Sequence, residues 1–447
     1  MASHRRIVPP ASTRRCVCCA ARGVFAVTLG VRAWVSTRFL AFFVSWAIFQ
    51  SYWGMWLAHR GLSVSEIGAA VGCSLAARAV TVAVVYPALN RHATLLRLSR
   101  IVPWLVTAAS VPYLFVIGFP MLLVISIAFG FIYPIMLPLN ETIATVAARR
   151  GLLPYGPTRA LGSLGFIVGT LAAGGLTSLL GAGVLAPTLI GACLLIAVIG
   201  IIGPRDADAL SIRGSGMHGF AALARDRAFL ACLTIAVLVQ GSHAAYYSFG
   251  ALRASEITSP AAVPLLLVLA PLSEFALFFL ARRRFERCDY RTLFAIGIVV
   301  AAARWVLLAF AGNWQLLAFS QLLHGGSFAT THMAFTMYVR DRVTVDIHAT
   351  AQGLYASLAT GLGTAVLTVV AGLLISASFE AALITMALAA LSGIIFLPAL
   401  GPLSSFREMS RDAARRSRSP AAASHLVRLP PSREVPPPGP GREGDGR

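Results

Sequence analysis

Two short strings place hydrogen-bonding side chains inside otherwise apolar runs. VQGSHAAYYSFGAL, from Val239 to Leu252, holds Gln240, His243 and Tyr247; QLLHGGSFATTHM, from Gln321 to Met333, holds Gln321, His324 and His332. At 100° per helical residue, Gln240, His243 and Tyr247 fall within about 60° of one another, and Gln321, His324, Phe328 and His332 within about 80°. Each stripe begins with a Gln followed three residues later by a His, so the two segments repeat one design. Amide, imidazole and phenol groups on one face can bind a polar or ionised solute by hydrogen bonding. Tyr246 lies to one side of the first stripe and is expected to pack between helices.

A third stripe, Trp46, Gln50, Trp53 and Leu57, shares one helix face. Its rings beside one amide suit a planar solute. The alternative is an aromatic belt at the membrane surface, which is the expectation for Trp56 and stays open for Gln50 and Trp53. Ionisable groups also occur within apolar runs: Arg78, Glu141, Arg159, Glu274 and Arg304. At membrane depth each costs at least ~2.5 kcal/mol, so each is expected to face the protein interior. Depth places His243, His324, Arg78 and Arg304 near the bilayer midplane. Glu274 is expected within reach of Arg304, forming either a charge pair that protonation can break or a permanent structural bridge. Glu141 and Arg159, nearer the cytoplasmic ends and beside Pro154 and Gly156, read as a gate.

The elements that must position these groups follow from composition. The 447 residues are 57% hydrophobic and 12% charged, with a net charge of +20 carried by arginine alone. That balance excludes an ordinary soluble globular protein. Runs of about 20 apolar residues span a bilayer, and they recur at roughly 34–57, 65–88, 99–118, 121–147, 158–180 and 183–203, then at roughly 228–251, 260–281, 291–311, 314–339, 350–376 and 380–400. Arginines collect in alternate loops: 91–100, 149–150, 205–227, 282–287 and 340–342. This marks the cytoplasmic side and puts both termini there, which requires an even number of helices. It also argues against a nucleic-acid partner.

The expected fold is therefore an all-α membrane protein of twelve transmembrane helices in two six-helix halves. Residues 1–33 form a cytoplasmic tail, 34–203 the first half, 204–227 a linker, 228–400 the second half, and 401–447 a disordered Arg- and Pro-rich tail. The basic tails can meet anionic membrane lipid. Cys16, Cys18 and Cys19 are the one cysteine cluster, with no second pair at zinc spacing, so no metal site is expected. The chain lacks lysine and hence a GxxxxGK[ST] loop, and no HExxH or strand-borne GxSxG occurs, so neither an enzyme nor a cofactor is implied. No repeated filter-like loop suggests a channel.

FLACLTIAVLVQGSHAAYYSFGAL, LSEFALFFLARRRFERC, ARWVLLAF and QLLHGGSFATTHMAF, together with GMWLAHRGLSVSEIG, AARAV and YGPTRALGSLGFIVG in the first half, resemble the 3-phenylpropionate permease family of the major facilitator superfamily. The resemblance covers about residues 34–400. It implies a proton symporter of the cytoplasmic (inner) membrane importing an aromatic carboxylate such as 3-phenylpropionate. It directs attention to Arg78, Arg159, Gln240, His243, Tyr246, Tyr247, Glu274, Arg304, Gln321 and His324. The loop YPALNRHATLLRLSR lacks the acidic residue usual in the superfamily, and Pro154 stands where an acidic residue is expected. Both departures put the form of the cytoplasmic gate in question.

The expected mechanism is alternating access by a monomer. Arg304 or Arg78 attracts the carboxylate, while Gln50, Trp53, Gln240, His243, Tyr247, Gln321 and His324 orient the solute. Glu274 carries the coupling proton, with His243 or His324 as second choice; Glu141 and Arg159 form the gate. The rival readings are a nucleoside or sugar symporter, an exporter of the same fold, and a transport-inactive sensor or scaffold.

Overall fold

The computed structural model describes residues 29–204, 219–280, 288–344 and 347–400. Most of the expected N-terminal tail with its three clustered cysteines, most of the 204–227 linker, and the whole of the 282–287 arginine run and of 401–447 lie outside the described residues.

The described residues include twelve long helical rods, with a short helix, Phe220–Arg225, ahead of the seventh. In chain order these are α1 (Val31–His59), α2 (Val64–His92), α3 (Leu95–Ser110), α4 (Phe119–Arg149), α5 (Tyr155–Leu180) and α6 (Leu185–Ile201), then α7 (Arg227–Ile257), α8 (Val263–Leu280) and α9 (Tyr290–Ala309). The series ends with α10 (Trp314–Leu322, Gly325–Ala329 and Thr330–Arg342), α11 (His348–Leu354, Tyr355–Gly363 and Thr364–Ile375) and α12 (Phe379–Leu400). Nine of the described helices are long and apolar enough to cross a membrane. No strand occurs among the described residues, only one isolated bridge between Leu29 and Pro204.

Polar caps start these rods where the sequence leaves the apolar runs. Ser63 and Glu66 form a reciprocal capping box at α2, and Asp226, Asp289, Asn313 and Ser378 accept the first free amides of α7, α9, α10 and α12. Satisfying those amides lets each helix begin at the membrane surface.

Within the first half α1 packs on α5 and α6, α2 on α4, and α3 on α6; in the second, α9 packs on α10 and α12, and α7 on α11 and α12. The halves meet through α2 with α11, α5 with α8, and α1 with α7. At the arginine-poor ends these crossings bring backbone against backbone. A Cβ on Gly68 of α2 would lie 2.9 Å from the Cα of Gly372 on α11, and one on Gly54 of α1 would overlap the carbonyl oxygen of Ser248 on α7. Only glycine allows such approach, and it brings the two halves into backbone contact there.

Six of the described rods depart from the uninterrupted helices expected from hydropathy, α4 by a 3-10 turn over Tyr133–Ile135 and α12 by a 3-10 stretch over Gly393–Leu400. α7 breaks at Ser242–His243, α2 is π-helical over Thr81–Val85, α10 over Gly325–Ala329 and α11 over Tyr355–Gly363. Neighbouring elements take up the polar groups that these breaks disturb. Trp305 of α9 donates its indole N–H to Ser242 (2.9 Å), and Ser357 of α11 donates to the carbonyl of Ala79 on α2 (2.8 Å). Inside a membrane, irregular helix is tolerable only where such partners exist.

Candidate functional site

The second half holds a buried polar cluster. Arg304 on α9 is wholly buried, and its guanidinium is fully engaged by α10: Nε donates to the Ser320 carbonyl (2.9 Å), Nη2 to Gln321 Oε1 (3.1 Å), and Nη1 meets His324 Nδ1 (2.9 Å). Tyr246 and Trp305 cover the same group at 4.6 and 4.5 Å. A guanidinium can only donate, so His324 Nδ1 accepts and a neutral ring carries its proton on Nε2. Glu274 of α8 lies at that side, 3.8 Å from His324 Nε2, and retains 31% side-chain exposure.

The expected direct pairing of Glu274 with Arg304 is therefore corrected. Among the described residues no ion pair joins them, and His324 stands between them. The cause is the close approach of α8 to α10, where Gly325 N–H donates to Ser273 Oγ (2.9 Å) and a Cβ on Gly325 would lie 2.6 Å from the Ser273 carbonyl oxygen. That contact brings Glu274 against His324 rather than against α9.

His243 joins the cluster from the break in α7. Its Nδ1 meets the Val239 carbonyl at 2.9 Å and its Nε2 meets Ser327 Oγ at 3.1 Å, with the His324 ring 5.3 Å away. Gln240 points elsewhere than its stripe suggested. Its Nε2 donates to the Phe328 carbonyl (3.1 Å) and to Tyr355 on α11 (2.9 Å), and Tyr355 meets His332 Nδ1 (3.1 Å). Gln240 Oε1 and Gln321 Nε2 are buried without partners.

The first half presents aromatic rings instead. Two small adjoining spaces share Phe49 and Leu75 as walls. One is lined by Trp46, Arg78, Phe129 and Tyr133; the other by Gln50, Trp53, Tyr247 and Ser248. Arg78 lies 4.8 Å from the Trp46 ring and makes one long hydrogen bond, 3.5 Å to Thr360 of α11. Tyr247 belongs to both regions, since it stacks on His243 (5.8 Å) and walls the second space. Trp56 is not a lipid-facing belt residue. It is 2% exposed and stacks on Trp53 at 4.5 Å, because α1 is enclosed by α5, α6 and α7.

Glu141 and Arg159 stand apart from both regions. Arg159 Nε meets Glu141 Oε1 at 2.5 Å and Tyr155 donates to Glu141 Oε2 (2.6 Å), with roughly a third of each paired side chain exposed.

The sequence matches the MFS_1 like family over residues 33–385. The chain belongs to this family. Similar proteins include the "Probable 3-phenylpropionic acid transporter" of Escherichia coli (strain K12), 28% identical over 375 residues covering 83% of this chain and 98% of that protein. The "Putative nucleoside transporter YegT" of the same organism is 25% identical over 349 residues, 73% of this chain and 80% of that protein. Among solved structures, the nucleoside transporter NupG superimposes with a TM-score of 0.67, and a point mutant of it with 0.69; each is 16% identical and covers 83% of this chain and 100% of its own. This MFS_1-like protein thus has the major facilitator fold and is a multi-pass membrane transport protein, not an enzyme. Its solute is a small molecule.

Sequence reasoning missed Arg38 of this MFS_1-like chain. It is 1% exposed, donating from Nε to Asn140 Oδ1 (3.0 Å) and from Nη1 to the Ser99 carbonyl (3.2 Å), and so ties α1 to α4 and α3. The signal was present, an arginine inside an apolar span. Phe49, Phe129 and Tyr133 were also missed, because an aromatic lining a cavity has the same sequence signature as one packing a core.

Proposed function

We propose that this MFS_1-like protein carries an aromatic carboxylate such as 3-phenylpropionate together with a proton. The observation that carries this reading is Arg78, an underused guanidinium at the wall of an aromatic-lined space in the first half, whose one side-chain hydrogen bond reaches across to Thr360 of α11. A carboxylate is the natural complement of that group, and Trp46, Phe49, Phe129 and Tyr133 suit a ring. Arg304, by contrast, has its donors engaged by α10 and acts by holding His324.

Proton coupling falls to the second half. Glu274 is the proton carrier, with His324 held beside it by Arg304, and His243 as the next link toward Tyr247. Tyr247 then connects proton and solute, since it touches His243 and walls the solute space. Gln50 and Trp53 orient the ring, while Gln240 and Gln321 brace the polar cluster. The halves, 34–203 and 228–400 joined by the 204–227 linker, rock about this centre. With the arginine-rich loops and both termini in the cytoplasm, contact of the halves at the arginine-poor ends corresponds to the inward-facing state. The Glu141–Arg159 pair with Tyr155 is the gate on the cytoplasmic side, and one monomer contains the full pathway in the inner membrane.

A solute panel tests this reading. In proteoliposomes, labelled 3-phenylpropionate should enter faster than in protein-free vesicles and should be competed by other aryl carboxylates but not by uridine or a disaccharide. Competition by uridine alone would favour the nucleoside reading, which the likeness to YegT and NupG supports.

A further inference from the structure

The two spaces along α1 differ in the chemistry of their ends. Arg78 stands at the first, against the ring of Trp46. The second is walled by Trp53, seven residues further along the same helix, with Gln50 and Tyr247 beside it. Trp53 is 2% exposed, yet its indole N–H has no hydrogen-bond partner. Its neighbours Trp56, Tyr113 and Phe49, at 4.5, 4.8 and 5.6 Å between ring centroids, pack it as a ring and leave that donor unmatched. A buried unpaired donor is unfavourable by ~1–3 kcal/mol, so a site that keeps one is poised for a ligand acceptor.

The spacing suits one kind of ligand. Seven helical residues rise about 10 Å, which is on the order of the distance from the carboxylate of an arylpropanoate to an oxygen at the far position of its ring. Phe49 and Leu75, which wall both spaces, stand where the ring would pass.

We infer that Trp53 is a specificity-determining residue whose indole N–H selects aryl carboxylates bearing an oxygen acceptor at the ring end opposite the acid. This rests on the aryl carboxylate reading of the site and adds to it the far-end recognition. Trp53 donates to the ring oxygen, and Gln50 lines the same space. A site built around a donor discriminates strongly against the ligand that lacks the acceptor.

The test compares three ligands of nearly one shape on the purified full-length protein: 3-phenylpropionate, 3-(4-hydroxyphenyl)propionate and 3-(4-methylphenyl)propionate. In the wild type the hydroxylated acid should bind about tenfold more tightly than the methylated one, the effect of one hydrogen bond in a buried site. In Trp53→Phe, which keeps a ring but removes the N–H, that ratio should fall to about one whatever happens to the absolute affinities. Equal binding of the hydroxylated and methylated acids by the wild type, which depends on no variant folding, overturns the inference. So does an unchanged ratio in Trp53→Phe. Binding of none of the three would overturn the aryl carboxylate reading itself, an outcome distinct from binding all three without preference.

Discussion

Replacing Glu274 by Gln should abolish proton-driven accumulation while leaving exchange of solute across the membrane. The carboxyl sits beside His324 and keeps part of its side chain exposed. Gln keeps the shape and hydrogen bonding of a protonated carboxyl but cannot release a proton. A pH difference of one unit corresponds to ~1.4 kcal/mol, so one proton per solute supports about tenfold accumulation. In Glu274→Gln the protein-dependent internal-to-external ratio, read before the neutral acid equilibrates passively across an imposed gradient and corrected with protein-free vesicles, should fall to about one. Retained tenfold accumulation would remove Glu274 from the proton path.

The second large effect is expected at Arg78. Loss of a charge-assisted hydrogen bond to a carboxylate costs about 1.5–3 kcal/mol, so Arg78→Ala should raise KM for 3-phenylpropionate about 10- to 100-fold. Arg78→Lys should recover only part of this, because an ammonium keeps the charge without the planar fork. Uptake kinetics across the two variants decide the matter. If Arg78→Ala transports the acid normally, the guanidinium serves only its contacts with Trp46 and Thr360.

Why the two arginines differ could not be read from their positions alone. Arg78 and Arg304 both fall near the middle of apolar runs, and hydropathy assigns them the same expectation. Their neighbours separate them: α10 offers Arg304 a carbonyl, an amide oxygen and an imidazole within 3.1 Å, whereas α11 offers Arg78 one hydroxyl at 3.5 Å. A helical wheel gives the face on which a side chain lies but not what stands opposite. For the same reason Gln240 shares a face with His243 by arithmetic, yet donates to Phe328 and Tyr355.

The larger plan was more legible. Apolar run length and alternating arginine loops follow from membrane physics, and the twelve rods lie close to where the apolar runs put them. The interruptions in α2, α7, α10 and α11 were not legible, because each depends on tertiary contacts, such as Ser357 on the Ala79 carbonyl or Trp305 on Ser242, that no local pattern encodes. Some of those interruptions matter for the site. The break in α7 sets His243 against Ser327 and the His324 ring, and the π-helical start of α10 brings Ser273, and with it Glu274, alongside His324.

The central claim is that an aromatic acid and a proton move together. The most direct measurement adds 3-phenylpropionate to proteoliposomes with no imposed gradient and follows external pH. The account predicts an alkalinisation that exceeds that of protein-free vesicles, through which the neutral acid also diffuses, and that Glu274→Gln removes. Protein-dependent entry of the labelled acid with no protein-dependent change in pH would contradict it.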